Sequence, residues 1–361
     1  MRLRFLPAYV LALLALAGCA SLFDIGELPA LGAPNANDAA VDEDANESET
    51  GGEPTDGGIA GDARAKDGGK DAKPVVNGAC DACAIEVLAD NLGQATIVAI
   101  DDNNVYFADE GPSDGTVSQC PKDGCTAAPV LLGPGYARSI ATDGARVYWN
   151  EGTKLSACNV GGCARAPTSL AGVQAGAGPV AFDGTTLYWG AGSSVFACAP
   201  TSCGSPTVLA TQQVYVDAIA AESGTASWIA DADGGAVFSC PAAGCATAPS
   251  RIAAADRGGV AVHSGFRYWV DGNAVKACAG ACASITTLGS SSRPTGLTSD
   301  ESFVYWRDTL ENKVVRCHHT GCGSGTELIA SQQYSHGRAN VVVDAEYIYW
   351  ATSAQVLRRH K

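Results

Sequence analysis

Along most of the chain, apolar residues come in runs of four to six, rich in Val, Ile, Tyr and Trp and separated by Gly, Asp, Asn and Pro. That spacing predicts short strands joined by tight turns, and no stretch carries the apolar period of a helix of useful length. One unit shows the order clearly: strands over residues 95–100, 105–108, 116–120 and around 129–132, with the turn Asp101-Asp102-Asn103-Asn104 after the first. Four antiparallel strands of this kind make one blade of a β-propeller.

The second strand carries an aromatic pair that recurs as Tyr148-Trp149, Tyr188-Trp189, Ser227-Trp228, Tyr268-Trp269, Tyr305-Trp306 and Tyr349-Trp350, with Tyr106-Phe107 as a degenerate copy. Copies lie about 40 residues apart, the period of blades or solenoid units, which bury their apolar faces only by stacking on one another. Neighbouring strand positions face opposite sides and a blade is covered on both, so both aromatics are expected between blades rather than stacked on a ligand. The turn after the first strand recurs as Asp143-Gly144, Asp183-Gly184, Asp300-Glu301 and Asp344-Ala345. Aspartate there bonds its own backbone, so these residues read as turn formers and not as catalysts.

The two ends of the repeat complement each other. Residues 79–90 hold a cysteine turn and an outer strand with no start, while the last copy, with strands over 340–344, 347–351 and 355–358, lacks both. Joining them closes a ring and removes the exposed edge, whereas an open solenoid needs atypical capping units. The expected fold is all-β: a seven-bladed β-propeller of four-stranded antiparallel blades over residues 79–361, closed by an N-terminal outer strand.

Residues 1–18 stand apart. Arg2 and Arg4 precede an apolar run over 5–16 that is too short to span a bilayer, the pattern of a secretory signal. Leu16-Ala17-Gly18-Cys19 resembles the lipobox of bacterial lipoproteins. That resemblance implies cleavage before Cys19, a palmitate-type lipid anchor on it and, because Ala20 rather than aspartate follows, sorting to the outer membrane. Residues 19–78 read as an acidic linker that cannot offset its ordering entropy by burial and stays disordered. Between residues 21 and 77 there are thirteen acidic and four basic side chains, which supplies more than half of the chain's net −15. An acidic balance argues against nucleic acid as a partner.

Of fifteen cysteines, setting Cys19 aside leaves seven close pairs: Cys80 with Cys83, Cys120 with Cys125, Cys158 with Cys163, Cys198 with Cys203, Cys240 with Cys245, Cys278 with Cys282, and Cys317 with Cys322. An even set of close pairs in an oxidising compartment is expected to form disulfides. The Cys-x4-Cys spacing can set two sulfurs across a four-residue hairpin loop, with Gly124, Gly162, Gly244 and Gly321 suited to a left-handed turn. Each closure is expected to contribute about 2 kcal/mol, as a local staple of the outer strands. Cys317-His318-His319-Thr320-Gly321-Cys322 adds further ligand types, with a copper or zinc site as the alternative to a disulfide turn bearing exposed histidines. One pair per blade keeps the pairs apart, so no metal is assigned.

The aromatic pair resembles the Tyr-Trp-Thr-Asp repeat of the low-density-lipoprotein-receptor propellers, at Tyr148-Trp149-Asn150-Glu151 and Tyr305-Trp306-Arg307-Asp308. Gly115-Thr116-Val117 and Cys120-Pro121-Lys122-Asp123-Gly124-Cys125 are similar to the units of repeat-bearing lipoproteins of myxobacteria, over residues 80–361. The second resemblance implies a propeller in the cell envelope and leaves activity open.

No Gly-x-Ser-x-Gly, His-Glu-x-x-His or phosphate-binding glycine loop is present, and neither a cofactor nor a catalytic residue is assigned. In a four-stranded blade the inter-blade loops emerge opposite the cysteine turns, and here they carry Tyr136, Arg138, Tyr215, Arg257, Arg293, Tyr334, His336 and Arg338, together with Gln213 and Gln333. Arginine and tyrosine are favoured recognition residues, the former for carboxylates. The expected function is a lipid-anchored, monomeric, noncatalytic scaffold that binds an envelope protein or glycan, facing the periplasm or the cell surface. The alternative is an envelope hydrolase or polysaccharide lyase with its site over the channel.

Overall fold

A computed structural model describes residues 84–111, 115–151, 154–171, 176–323, 325–335 and 339–361. The stretches expected as signal and linker, with Cys19, Cys80, Cys83, His336 and Arg338, lie outside the described residues. The rest forms seven four-stranded antiparallel sheets. Blade 1 is Ala95–Ile100, Asn104–Asp109, Thr116–Pro121 and Val130–Pro134, in order from the channel outward. Five further blades repeat this order, with inner strands Ile140–Thr142, Ala177–Phe182, Val216–Glu222, Val260–His263 and Pro294–Ser299. One 3-10 turn, Ala232–Gly234, is the helical element among the described residues.

Blade 7 is built from both ends of the repeat. Val341–Val343, Tyr347–Ala351 and Val356–His360 are completed by Ile85–Ala89, with Ile85 opposite Arg359 and Val87 opposite Leu357. The seven-bladed ring and its closing strand are those expected from the sequence, with bounds shifted by one or two residues.

Each blade interface holds one tyrosine and one tryptophan from different blades, with two exceptions. Tyr106 packs in a cluster with Trp149, Tyr148 with Trp189, Tyr188 with Trp228, Tyr268 with Trp306 and Tyr305 with Trp350. Tyr349 meets Phe107 across the closure. Where Ser227 replaces the tyrosine, Trp269 packs on Ile229 and Val237 instead. The side chain after the tryptophan crosses to the next blade: Asn150 Nδ2 donates to Gly190 O at 2.9 Å, and the buried Arg307 donates to Ala351 O and Gln333 O. Burial pushes the Arg307 guanidinium down to about 10.

Six of the expected cysteine pairs fall within the described residues, and all six are bonded. Cys120 is joined to Cys125, Cys158 to Cys163, Cys198 to Cys203, Cys240 to Cys245, Cys278 to Cys282 and Cys317 to Cys322. Besides the local closure expected of them, these turns dock on the outer strand of the blade before. Cys125 N donates to Leu88 O at 2.8 Å and Cys322 N to Leu288 O at 2.9 Å. The glycines before the second cysteine, such as Gly124 at φ 98° and Gly321 at φ 115°, hold the left-handed conformation that presents that N–H. The pair one residue closer in sequence has no such glycine, and there Cys282 itself takes φ 59°.

The second cysteines all reach the packing between blades. Cys163 lies against the cluster of Tyr106 and Trp149, Cys203 is buried with Tyr148 and Trp189, Cys245 lies against Tyr188 and Trp228, and Cys282 against Ile229 and Trp269. Each disulfide is therefore part of an inter-blade core.

Candidate binding face and the central channel

The strand order puts inter-blade loops and the loops between second and third strands at one end of the channel, and the aspartate and cysteine turns at the other. At the loop end the channel opens as a cavity of about 210 Å³ walled by residues from every blade. Side chains stitch its wall together. Asn340 accepts from Val98 N and donates to Val98 O, both at 2.8 Å, and Ser139 Oγ donates to Val180 O at 3.1 Å.

Three of the eight loop residues singled out in the sequence converge here. Arg138 Nη1 donates to Tyr215 Oη at 2.5 Å, although 77 residues separate them. The Arg257 guanidinium lies 4.4 Å from the centre of the same Tyr215 ring, within cation–π distance. Asp231 pairs with Arg257 and, against slight desolvation, raises its pKa above the usual guanidinium value. Arg138 forms no ion pair among the described residues and lines the cavity. Thr295 Oγ1, on the same wall, is buried without a hydrogen bond among the described residues.

The other candidates are spread over the face. Tyr136 shares the loop of Arg138 and is 53% exposed, and Tyr334, on the loop between blades 6 and 7, is 64% exposed. Arg293 lies on the loop before blade 6, and its carbonyl accepts from Thr309 N at 3.1 Å. Gln213 and Gln333 do not belong to the face. Each is buried and accepts from a tryptophan, Trp228 and Trp350 respectively, at 2.8 Å.

Sequence reasoning missed the carboxylates of this face. Asp217 Oδ2 accepts from Gly258 N at 3.0 Å beside the channel. Two residues beyond the aromatic slot stand Asp109, Glu151, Asp271 and Asp308, a recurrence visible in the sequence. Asp109 accepts from Gly93 N at 3.0 Å and Gln94 N at 2.6 Å, and Asp308 from Ser292 N at 2.7 Å and Glu311 N at 2.9 Å. Asp217, Asp109 and Asp308 thus fasten adjacent loops, and Asp308 is nearly fully buried. Tyr136, Arg257, Arg293 and Tyr334 are exposed, while Arg138 and Tyr215 are half-buried.

Of the double histidine, His318 is exposed on its disulfide turn as expected, and His319 is not. His318 Nδ1 pairs with Thr320 Oγ1 at 2.9 Å, whereas His319 is half-buried, with Nδ1 against Tyr268 Oη and Nε2 against Asp300 O at 2.6 Å. Among the described residues no three His, Cys, Asp or Glu side chains gather as a metal site.

The chain matches no family in a comparison with known protein families and no protein in a comparison with curated ones. Among solved structures it is similar to the WD40 β-propeller domain of Doa1, at 12% identity and TM-score 0.62 over 77% of this chain and 97% of that one. A chain of the mitotic checkpoint complex is similar at 13% identity and TM-score 0.61, covering 81% of this chain and 99% of that one. Virginiamycin B lyase from Staphylococcus aureus is similar at 12% identity and TM-score 0.60, covering 76% and 97%. At such identities the likeness is one of fold.

Proposed function

We propose that this protein is a lipid-anchored envelope scaffold whose propeller binds a carboxylate-bearing envelope protein or glycan at the loop end of its channel, without catalysis. The observation that carries the reading is the meeting of Arg138 and Arg257 on Tyr215 in a chain of net charge −15. A guanidinium held by a tyrosine and lacking a carboxylate keeps its fork for a bidentate carboxylate from outside. Exposed Tyr136 and Tyr334 on the same face supply flat amphipathic contact. The signal pattern, Cys19 in its lipobox-like setting and the disulfides support an oxidising, membrane-attached address, in keeping with the resemblance to repeat-bearing lipoproteins of myxobacteria.

Two experiments test this reading. Metabolic labelling with an alkyne fatty acid should tag the wild-type chain and not Cys19→Ser. Capture of cross-linked partners from native envelopes should weaken when Arg138, Arg293 and Arg338 are changed to Ala, and undiminished capture rejects the binding face.

A further inference from the structure

The repeat breaks in two adjacent blades, and the break lies at the end of the channel away from Arg138. Five blades place Asp at the first turn and Tyr five residues later, whereas blade 4 has Glu222 and Ser227, and blade 5 has His263 and Tyr268. Neighbours take over the lost contacts. Glu222 accepts from Ser264 N at 2.7 Å and Gly265 N at 2.9 Å, and His319 meets the Tyr268 hydroxyl. His263 is left without the task its position has elsewhere: its Nε2 is buried and makes no hydrogen bond among the described residues. The same is true of Ser299 Oγ, at the end of the next inner strand.

Both side chains line one cavity of about 640 Å³ that spans blades 5, 6 and 7, with Asp300, Phe303, Arg316 and Lys361 around it. Buried polar atoms without partners are costly, so two of them on one cavity wall mark a place where a ligand supplies what the protein does not. The cations around the cavity are already matched. Lys361 pairs with Asp300, and Arg316 Nη2 with Glu327 Oε1 at 2.7 Å. No unmatched cation among these recruits an anion. The unmet groups, an imidazole nitrogen and a hydroxyl, each suit a partner that both donates and accepts. Phe303 adds an apolar wall, and the volume falls in the range of small-molecule sites.

We propose that this cavity binds one neutral sugar ring, with His263 Nε2 and Ser299 Oγ as partners of its hydroxyls. It is a second site, independent of the Arg138 mouth. The test is saturation-transfer NMR and calorimetry on the full lipidated chain in detergent, using glucose, galactose, N-acetylglucosamine and glucuronate as probes. At least one neutral sugar should bind saturably, with affinity reduced about tenfold or more by His263→Asp and by Ser299→Ala and unchanged by Arg138→Ala. His263→Asp installs the residue that five other blades use at this position, and Ser299→Ala is a second, smaller change, so an unfolded variant does not leave the question open. Three results overturn the proposal: no saturable binding of any neutral probe, binding that survives both cavity variants, or preference for glucuronate over every neutral sugar.

Discussion

Tyr305 donates its hydroxyl to Asp300 Oδ2 at 2.8 Å, while Asp300 Oδ1 accepts from Ser302 N and Phe303 N, both at 2.9 Å. One carboxylate thus closes the turn and fixes the tyrosine that fills the blade interface. The pattern repeats at Asp183 with Tyr188 and at Asp344 with Tyr349, each at 2.8 Å, and at Asp101 with Tyr106 and Asp143 with Tyr148. Tyr305→Phe should cost about 1 kcal/mol, the net value of one hydrogen bond, and Asp300→Ala about 3 kcal/mol, because the turn donors and Lys361 lose their acceptor together. Urea unfolding followed by tryptophan fluorescence checks the order of the two effects.

Acid should reveal the same carboxylates. Desolvation pushes Asp300 and Asp344 up, but the lysine partners, two backbone N–H groups and a tyrosine outweigh it and hold both at about 2. A folded-state value below the unfolded one gives stability that is complete above about pH 4 and lost as pH falls through about 2, on the order of 2 kcal/mol per carboxylate. Tyr268 works in the opposite sense. Burial, with Glu222 adding to it, pushes its hydroxyl up to about 12, so stability is present below about pH 10 and is lost as pH rises toward 12. Melting temperature across about pH 2 to 11 should therefore form a plateau that falls at both ends, and Asp300→Asn should flatten the acid side.

The ring and its seam were legible because their causes are local and repeated. Tyr, Trp and the turn aspartates recur at fixed offsets, and the half-units at the ends have one complementary pairing. The bonded partners of the cysteines were legible for the same reason, but the docking of Cys163, Cys203, Cys245 and Cys282 on the preceding blade was not, since it depends on how blades stack. The cooperation between Asp300 and Tyr305 was not read, because an i to i+5 contact across a turn shows only when the strands are folded back. Nor was the joining of Arg138 to Tyr215, which depends on two loops of nonadjacent blades meeting over the channel. His263 gave a signal that could have been found, as a departure from the repeat, and its unmet nitrogen becomes visible only in three dimensions.

Gly289 tests whether the cysteine turns act between blades. A Cβ built there lies 2.2 Å from Cys322 Sγ, in the next blade, and a sulfur fixed by a disulfide cannot swing aside. Gly289→Ala should destabilise the propeller by about 1–3 kcal/mol through overpacking. In the Cys317→Ser, Cys322→Ser background the turn can yield, so the same change should cost measurably less. Equal costs in both backgrounds would show that the disulfide does not hold the turn against the neighbouring strand.

Arg358 holds the seam where the chain's ends meet. Its Nε and Nη2 donate to Glu86 Oε2 at 2.9 and 2.8 Å, and its Nη1 donates to Lys122 O at 2.6 Å, while Lys122 Nζ pairs with Asp344 at 2.6 Å. One side chain therefore ties the third strand of blade 7 to its N-terminal outer strand and to the cysteine turn of blade 1. Arg358→Met keeps the apolar stem and removes all three bonds, which should cost about 2–3 kcal/mol, because Lys122 O loses a donor in a half-buried setting. Glu86→Gln should cost less than about 1 kcal/mol, since Glu86 is partly exposed and the bond to Lys122 O remains. Hydrogen exchange separates a local from a global effect. With Arg358→Met, amides of Ile85–Ala89 should exchange faster than those of blades 2 to 5, since the outer strand can open before the ring unfolds.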